Sequence, residues 1–259
     1  MEQVKVLVLR AAGINCDLET EYAFEAAGAE ADRVHINRII EEPSMLERYQ
    51  IMVFPGGFSY GDDVAAGRIL ANQIIHHLFD VVKKFIEDGK LVLGICNGFQ
   101  VLAKAGILGG GDVGGQSVTI TCNDSGKFED RWVYLQPGES KCVFIEQGKR
   151  IYLPIAHGEG KVVYKDANVL ETLKSNNNVA FRYVDADGDF GGFPVNPNGS
   201  VDSIAGLTDD TGRVLGLMPH PERFVKPTQH PHWTRLEDRG SPDGMTIFDN
   251  AVRYVKENF

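Results

Sequence analysis

The chain has 259 residues, of which 43% are hydrophobic, and its formal net charge is −10. This composition allows a full hydrophobic core, with one large domain favoured over two, and the acidic balance argues against nucleic acid as the main partner. No apolar run reaches membrane-spanning length, and the four cysteines are widely spaced. We therefore expect no membrane partner and a cytoplasmic location.

Strand and helix patterns alternate in the first half of the chain. The strand patterns cover residues 4–9, 31–36, 51–54 and 91–95. The helical patterns run from Leu18 to Gly28, from 65 to 88 and from 97 to 105. This order predicts an α/β fold, a single-domain three-layer sandwich with a mostly parallel central sheet. In such sheets, sites form at the carboxyl ends of the strands.

The second half of the chain has a different texture. Residues Gly109 to Gly115 predict a flexible linker, and short strand candidates follow it. These candidates are residues 118–122, 132–135, 151–155, 161–164, 179–183 and 214–217. Helical spacing returns only from Met245 to Asn258, which predicts a terminal helix packed on the sheet.

A single cysteine between glycines marks the end of the fourth strand. The sequence Gly94-Ile95-Cys96-Asn97-Gly98 has the form of a nucleophile elbow, a strained strand-to-helix turn that tolerates only small neighbours. The turn places Cys96 near a helix N-terminus, which favours negative charge. The alternative is a buried structural cysteine beside two loop glycines. The pentapeptide alone does not separate these interpretations.

The strand at residues 214–217 leads to a histidine between two prolines, in Pro219-His220-Pro221-Glu222. Because each proline restricts the backbone around it, His220 is held stiffly, and Glu222 stands where it can orient the imidazole. The alternative is a proline-rich surface turn. The cysteine elbow favours the first interpretation, since a nucleophile needs a base.

Glycines also end the third strand, in Pro55-Gly56-Gly57-Phe58. Glycines at this position let backbone N–H groups face a substrate. The N–H groups of Gly57 and Asn97 would form an oxyanion hole for a tetrahedral intermediate. The alternative is an ordinary type II turn.

Together, these motifs resemble those of the class I (triad-type) glutamine amidotransferases, which have a flavodoxin-like α/β fold. Further segments resemble one branch of that family, the glutaminase subunits of phosphoribosylformylglycinamidine synthases in purine biosynthesis. They are residues 13–17, 58–63, 154–160, 196–200 and 218–223. The resemblance covers roughly residues 4–223, and the joint matches are more specific than any single one. Two features depart from shorter family members: the extension from Phe224 to Phe259 and the pair Asp62-Asp63.

The resemblance implies a reaction and a role for each residue. Cys96 attacks the side-chain carboxamide of L-glutamine, His220 moves the protons, and Glu222 orients His220. The oxyanion loop includes Gly56, Gly57 and Phe58, and Asn97 supplies the second donor. Gln100 contacts the glutamine backbone groups, and His157, Gly158 and Glu159 border the pocket. We expect an amidotransferase domain in residues 1–223, with residues 224–259 as an extension whose terminal helix packs on it.

The resemblance also implies partners. Ammonia passes to a separate ATP-dependent synthetase subunit of phosphoribosylformylglycinamidine synthase, and some such complexes contain a small third subunit. The synthetase subunit is the one that uses ATP and Mg²⁺, so we expect no cofactor and no metal on this chain. Three alternatives stay open: a subunit for another acceptor, a non-catalytic regulatory module of the same fold, and a cysteine hydrolase of peptides.

Other cysteines and histidines have weaker interpretations. Cys16 follows a strand end and is a candidate to border the site, whereas Cys122 and Cys142 are expected in the core. The pair His76-His77 is expected at the surface. His230 and His232 are two possible metal ligands without a matching partner, so a packed or partner-facing tail is favoured.

Overall fold

A nine-stranded sheet forms the centre of the structure, a computed structural model that describes residues 3–109, 115–236 and 241–259. The strands are β1 (Lys5–Arg10), β2 (Glu30–His35), β3 (Ile51–Phe54), β4 (Leu91–Ile95), β5 (Val118–Cys122), β6 (Glu129–Pro137), β7 (Ile151–His157), β8 (Glu159–Tyr164), β9 (Val179–Val184), β10 (Ile204–Thr208) and β11 (Val214–Leu217). Their order in the sheet is β2-β1-β3-β4-β11-β10-β9-β6-β7, and β5 and β8 pair separately.

The strands from β2 to β11 in this order run parallel, and the rest of the sheet continues antiparallel. The central strands β3, β4 and β11 are buried along their whole length. A strand covered on both faces needs apolar residues at every position, which explains their continuous hydrophobic runs. The predicted α/β class with a mostly parallel central sheet is confirmed.

Helices cover both faces of the sheet. They are α1 (Asp17–Ala26), α2 (Ile36–Glu41), α3 (Arg68–Gln73), α4 (Phe79–Glu87), α5 (Asn97–Lys104), α6 (Ala167–Ser175) and α7 (Met245–Asn258). Helix α1 packs on α7, where the Phe24 and Phe248 rings meet edge-on with centroids 4.9 Å apart. Helix α5 packs on α3 and on the strands β3, β4 and β11.

Several predicted boundaries differ from the structure. The helical pattern of residues 65–88 is interrupted by a π-helical turn, Ile74–Leu78, which separates α3 from α4. The second strand ends at His35 rather than at Ile36, because the His35 side chain accepts a hydrogen bond from Asn37 N and caps α2. The predicted linker lies largely in residues 110–114, outside the described residues.

The sequence patterns missed α2, α6 and β10. Helix α6 is capped by Asp166, whose side chain accepts from the N–H groups of Asn168 and Val169. Its inward face is short, and Leu173 is its buried residue, so the helical period is weak. The predicted terminal helix is α7, and Asn250 on it donates to the Phe144 carbonyl. The domain boundary at residue 223 stays a prediction. Among the described residues, no helix is both long and apolar enough to cross a membrane.

Candidate active site

Cys96 stands between β4 and α5, with backbone angles of φ 50° and ψ −104°. A non-glycine residue with positive φ is strained, and such residues concentrate at functional sites. The neighbouring glycines make the turn possible. A Cβ on Gly98 would lie 1.8 Å from the Phe54 carbonyl oxygen, and one on Gly94 would lie 2.9 Å from the backbone of Gly98.

Strand pairing brings Cys96 and His220 to the same edge of the sheet. Strands β4 and β11 are parallel neighbours in which Ile95 faces Leu217, so the chain leaves both strands at one level. The Cys96 N–H donates to the Leu217 carbonyl at 2.8 Å, which continues the pairing past the strand end. The charge of Cys96 is among the causes that raise the pKa of His220, so the two side chains are neighbours, while the Cys96 Sγ donates to the Ala156 carbonyl at 3.8 Å. Among the described residues, Nε2 of His220 has no hydrogen-bond partner.

His220 and Glu222 form a buried pair. The Nδ1 atom of His220 lies 2.6 Å from Oε1 of Glu222, and their side chains are 2% and 0% exposed. Since a carboxylate accepts, Nδ1 donates this hydrogen bond and Nε2 is left for the nucleophile. Burial lowers the pKa of His220, but the charges of Glu222 and Cys96 outweigh it and raise that pKa well above its usual value.

The loop after β3 is held against the loop after β1. The Phe58 N–H donates to the Gly13 carbonyl at 2.9 Å, and the Cys16 N–H donates to the Gly56 carbonyl at 3.2 Å. Gly57 lies between these bonds, with φ 143°, opposite Ile14. Because alternate residues of a paired segment face opposite sides, the Gly57 N–H points away from this loop.

Asn97 joins three parts of the site through its side chain. Its Oδ1 accepts from the Ser59 N–H at 3.2 Å, and its Nδ2 donates to Asp62 Oδ1 and Gln100 Oε1 at 3.1 and 2.8 Å. Gln100 in turn donates from Nε2 to the Glu159 carbonyl at 2.6 Å. The Gln100 amide is therefore fixed between α5 and the start of β8.

His157 is buried and neutral. Its Nδ1 lies 3.1 Å from Asn123 Oδ1, an oxygen that also accepts from the Gly160 N–H, so Nδ1 carries the hydrogen. Its Nε2 is buried, without a hydrogen-bond partner among the described residues. Burial, reinforced by the charge of His220, lowers the pKa of His157 to about 4.

A cavity of about 230 Å³ opens at Cys96. The predicted site residues that line it are Gly57, Phe58, Cys96, Gln100, His157, Gly158 and Glu159. The predicted Gly56, Asn97, His220 and Glu222 do not line it, although Asn97 Nδ2 donates to the lining residue Gln100. Four further residues line the cavity and were not predicted as site residues: Asp62, Ala66, Phe128 and Ala156. Asp62 and Ala156 fall within segments that carry the family resemblance, but neither was predicted as a site residue.

Among the described residues, Cys16, His220 and Glu222 bring donor atoms within 4.8 Å of one another, close enough to hold a metal ion. Two contacts disfavour a cation there. The Arg223 guanidinium lies 3.1 Å from the Cys16 sulfur, and the hydrogen bond between His220 and Glu222 occupies one ligand atom of each, Nδ1 and Oε1. This set of side chains suits proton transfer better than metal binding.

Other predictions about cysteine and histidine have mixed outcomes. Cys142 is buried as predicted, but the prediction that Cys122 lies in the core is wrong, because it ends an edge strand and is exposed. His76 and His77 are exposed, as predicted. His230 packs on the Trp132 and Phe224 rings, with centroids 5.6 and 5.7 Å away.

Comparison with known proteins gives consistent matches over nearly the whole chain. Residues 3–255 match the family model described as a CobB/CobQ-like glutamine amidotransferase domain. Phosphoribosylformylglycinamidine synthase subunit PurQ of Dehalococcoides mccartyi is 49% identical, over 99% of this chain and 100% of that protein. The subunit of the same name from Methanococcus maripaludis is 43% identical, over 98% of each chain.

Solved structures agree with these matches. A chain of PurLQS from Thermotoga maritima superposes with a TM-score of 0.74 at 33% identity, over 98% of this chain and 100% of that one. A glutamine amidotransferase from the same organism superposes with a TM-score of 0.53 at 19% identity, over 99% of this chain and 94% of that one. The second likeness shows the fold alone.

Proposed function

The chain belongs to the CobB/CobQ-like glutamine amidotransferase family, and we propose that Cys96, His220 and Glu222 carry out its glutaminase reaction. It is a glutaminase subunit of phosphoribosylformylglycinamidine synthase, an enzyme of purine biosynthesis. The single observation that supports the proposed triad most strongly is that two separate parts of the chain meet at one sheet edge. The strained cysteine follows β4, whereas the imidazole and the buried carboxylate follow β11 and are two residues apart.

In the first half-reaction, the Cys96 thiolate attacks the carboxamide carbon of glutamine and forms a tetrahedral intermediate. The N–H groups of Gly57 and Asn97 stabilise its oxyanion, because fixed donors need no reorganisation as the charge develops. Gly57 fits this role since its N–H points away from the loop that pairs with it. The C–N bond then breaks, His220 protonates the departing nitrogen, and ammonia leaves a glutamyl thioester.

In the second half-reaction, water attacks the thioester. His220 takes a proton from the water, the C–S bond breaks, and glutamate is released. The high pKa of His220 beside Glu222 suits it to return a proton to each leaving group. Glu222 acts through orientation, because its hydrogen bond to Nδ1 leaves Nε2 facing the reacting atoms.

The cavity lining suits a small amino acid substrate. We assign the remaining contacts with glutamine to Phe58, Gln100 and the loop of residues 157–159. Gln100 is fixed by Asn97 and by the Glu159 carbonyl, so it can present its amide without losing rotamer freedom on binding.

Ammonia passes to a separate synthetase subunit, which uses ATP and Mg²⁺ to make formylglycinamidine ribonucleotide. We assign no cofactor and no metal to this chain. The family's small third subunit joins some of these complexes, and PurLQS of Thermotoga maritima is a multi-subunit relative. A cytoplasmic location accords with this pathway.

The test is glutamine hydrolysis by the chain together with its synthetase, ATP and formylglycinamide ribonucleotide. The native chain should release glutamate and support product formation. Cys96→Ala should support product formation with added ammonium salt but not with glutamine, because removal of the nucleophile leaves the synthetase intact. Glutamate release by a folded Cys96→Ala chain would overturn the proposed triad.

A further inference from the structure

Cys16 is buried directly behind the proposed triad, and the reaction steps above do not use it. Its side chain is 1% exposed. A Cβ placed on Gly56 would lie 2.8 Å from Cε1 of His220 and 3.1 Å from the Cys16 sulfur. The imidazole edge and the sulfur therefore lie against the same glycine, and Cys16 fills the space behind the ring.

The backbone of Cys16 is fixed on both sides. Its N–H donates to the Gly56 carbonyl at 3.2 Å, and its carbonyl accepts from Thr20 N and Thr20 Oγ1 at 3.1 and 2.6 Å. Cys16 thus caps the start of α1 while it holds the segment that precedes Gly57. A side chain on such a backbone can set the position of a neighbouring ring.

Arg223 contacts the sulfur of Cys16 and links it to helix α1. Its Nη2 lies 3.1 Å from the sulfur, and its Nε donates to Glu19 Oε1 on α1 at 2.9 Å. Burial raises the pKa of the Cys16 thiol to about 11, so the group is a neutral thiol. The Cys16 S–H donates to Asn15 Oδ1 at 3.4 Å, which leaves the sulfur lone pairs for Arg223 and for contact with the Cε1 edge of the His220 ring.

We propose that Cys16, held by Arg223 and Glu19, is a positioning residue for the glutaminase reaction. Its thiol fixes the ring of His220 in the orientation that reaches Cys96. This inference rests on the proposed triad. It means that the loop before α1 affects the rate of proton transfer by setting the position of the His220 ring. It also explains why the first strand of the sheet, distant in sequence from both Cys96 and His220, contributes to the site.

The titratable and charged groups around His220 are Cys16, Cys96, His157, Glu222 and Arg223. The contact with Cys16 raises the pKa of His220, because the sulfur lies near the ring edge that carries Cε1 and stabilises the imidazolium more than the neutral ring. Removal of the sulfur should therefore move the high-pH loss of activity to lower pH. A cysteine that only filled space would not have this effect.

The experiment measures kcat, KM and the pH profile of glutamine hydrolysis in the complex with the synthetase. Cys16→Ala should lower kcat by about tenfold to a hundredfold, since a small misplacement of a catalytic group has an effect of this size. KM for glutamine should stay within about twofold, and the high-pH limb should move down by about half a unit. Cys16→Ser, which keeps a small acceptor, should recover part of both losses.

Cys142→Ala is the matched control, because Cys142 is also buried but is not among the groups that act on His220. It should lower the melting temperature while kcat and the high-pH limb stay unchanged. The inference is overturned if Cys16→Ala leaves the pH profile in place, or if kcat falls only in proportion to the loss of folded protein. Cys96→Ala in the same assay tests the triad separately: activity there would overturn the proposed function itself.

A double-substitution series tests the link to Arg223. Arg223→Lys keeps the charge but loses the geometry that reaches both Glu19 and the sulfur. It should lower kcat in the native background and have little further effect in Cys16→Ala, because the pathway through the sulfur is already lost. Equal fold-losses in the two backgrounds would contradict the proposed role of Arg223.

Discussion

The carboxyl and amino ends of the parallel strands differ in the cavities and the polar groups that they carry. At the carboxyl ends lies the cavity of about 230 Å³ beside Cys96. At the amino ends of β3 and β4 lies a larger groove of about 390 Å³, lined by residues such as Leu46, Phe85 and Lys90. The groove is larger, yet its polar groups are ordinary: the Lys90 ammonium donates to the carbonyls of Leu46 and Glu47 at 3.2 and 3.0 Å.

Strain and unpaired polar atoms separate the two ends more clearly than volume does. The carboxyl end has positive φ at the non-glycine residues Cys96 and Tyr60, and it buries Nε2 of both His157 and His220 without a conventional hydrogen bond among the described residues. Each such feature reduces stability and persists only where the surrounding structure enforces it. Strained backbone and unpaired buried polar atoms, which reduce the stability of the fold, therefore indicate the functional site better than cavity volume does.

The largest expected effect at the carboxyl end comes from the base. His220→Ala should lower kcat by roughly 10⁴-fold, because proton transfer in both half-reactions is lost. Glu222→Gln should lower it by about 10²-fold, since only orientation and charge are altered while the shape is kept. Glutamate release in the synthetase complex measures both. Equal losses would mean that Glu222 does more than orient the ring.

Alanine substitutions of the glycines that flank β4 allow the two ends of this strand to be compared. Gly98→Ala at the carboxyl end should lower the free energy of unfolding by about 3 kcal/mol, because the added methyl meets the Phe54 carbonyl oxygen at 1.8 Å. In Gly89→Ala, at the amino end, the added Cβ would lie 3.7 Å from its nearest atom. The only strain is then the positive φ of 87°, which should lower the free energy of unfolding by about 1 kcal/mol.

Denaturant unfolding of both variants measures these free energies, and kcat should fall in Gly98→Ala alone. Gly192→Ala is the matched control, since its Cβ would meet nothing within 4 Å. A Gly98→Ala chain as stable as Gly89→Ala would show that α5 can shift away from β3 without cost. The close approach would then not be what requires glycine after Cys96.

The sequence predicts those features of the site that depend on short local motifs. Gly-x-Cys-x-Gly, Pro-Gly-Gly and His-Pro-Glu specify a turn or a stiff backbone within a few residues, so Cys96, Gly57 and His220 were predicted. Long-range partners left no local signal. Arg223 reaches Cys16 across 207 positions, and nothing in either segment specifies that contact.

The same limit explains the fold. The fully buried strands β3 and β4 have runs of large apolar side chains and were predicted, whereas β10 is equally buried but has only two large apolar residues among its five, which is too weak a local pattern. The π-helical turn after α3 preserves the hydrophobic period closely enough that the sequence predicts one helix. Edge-strand exposure, as at Cys122, follows from strand order, which no local pattern encodes.

A smaller effect concerns the pH dependence of stability at the carboxyl end. The pKa of His157 is about 4 in the folded chain and about 6.5 when unfolded, so the neutral form is favoured by folding. The unfolded chain binds the extra proton first, and stability is lost as the pH falls below the unfolded value. Between pH 7 and pH 5 this loss amounts to about 2 kcal/mol.

His157→Gln removes this titration but keeps a side chain that can hydrogen-bond to Asn123. The variant's free energy of unfolding should therefore fall by about 2 kcal/mol less than that of the native chain between pH 7 and pH 5. Denaturant titrations at both pH values measure the difference, and any constant cost of the substitution cancels. Parallel losses in the two proteins would mean that folding does not lower the pKa of His157.

The smallest effect on activity is expected from the groove at the amino ends. Lys90→Met removes the ammonium that bonds to the Leu46 and Glu47 carbonyls, and it keeps an unbranched stem over the Phe85 ring, whose centroid lies 4.8 Å from the Lys90 nitrogen. Burial lowers the pKa of Lys90, which means that the charged form of the side chain is less stable here than in water. We expect kcat and KM for glutamine in the complex to stay within about twofold, as for surface changes away from a site. A tenfold loss with unchanged folding would give the larger groove a function and would show that strain and unpaired polar atoms are not enough to separate the two ends.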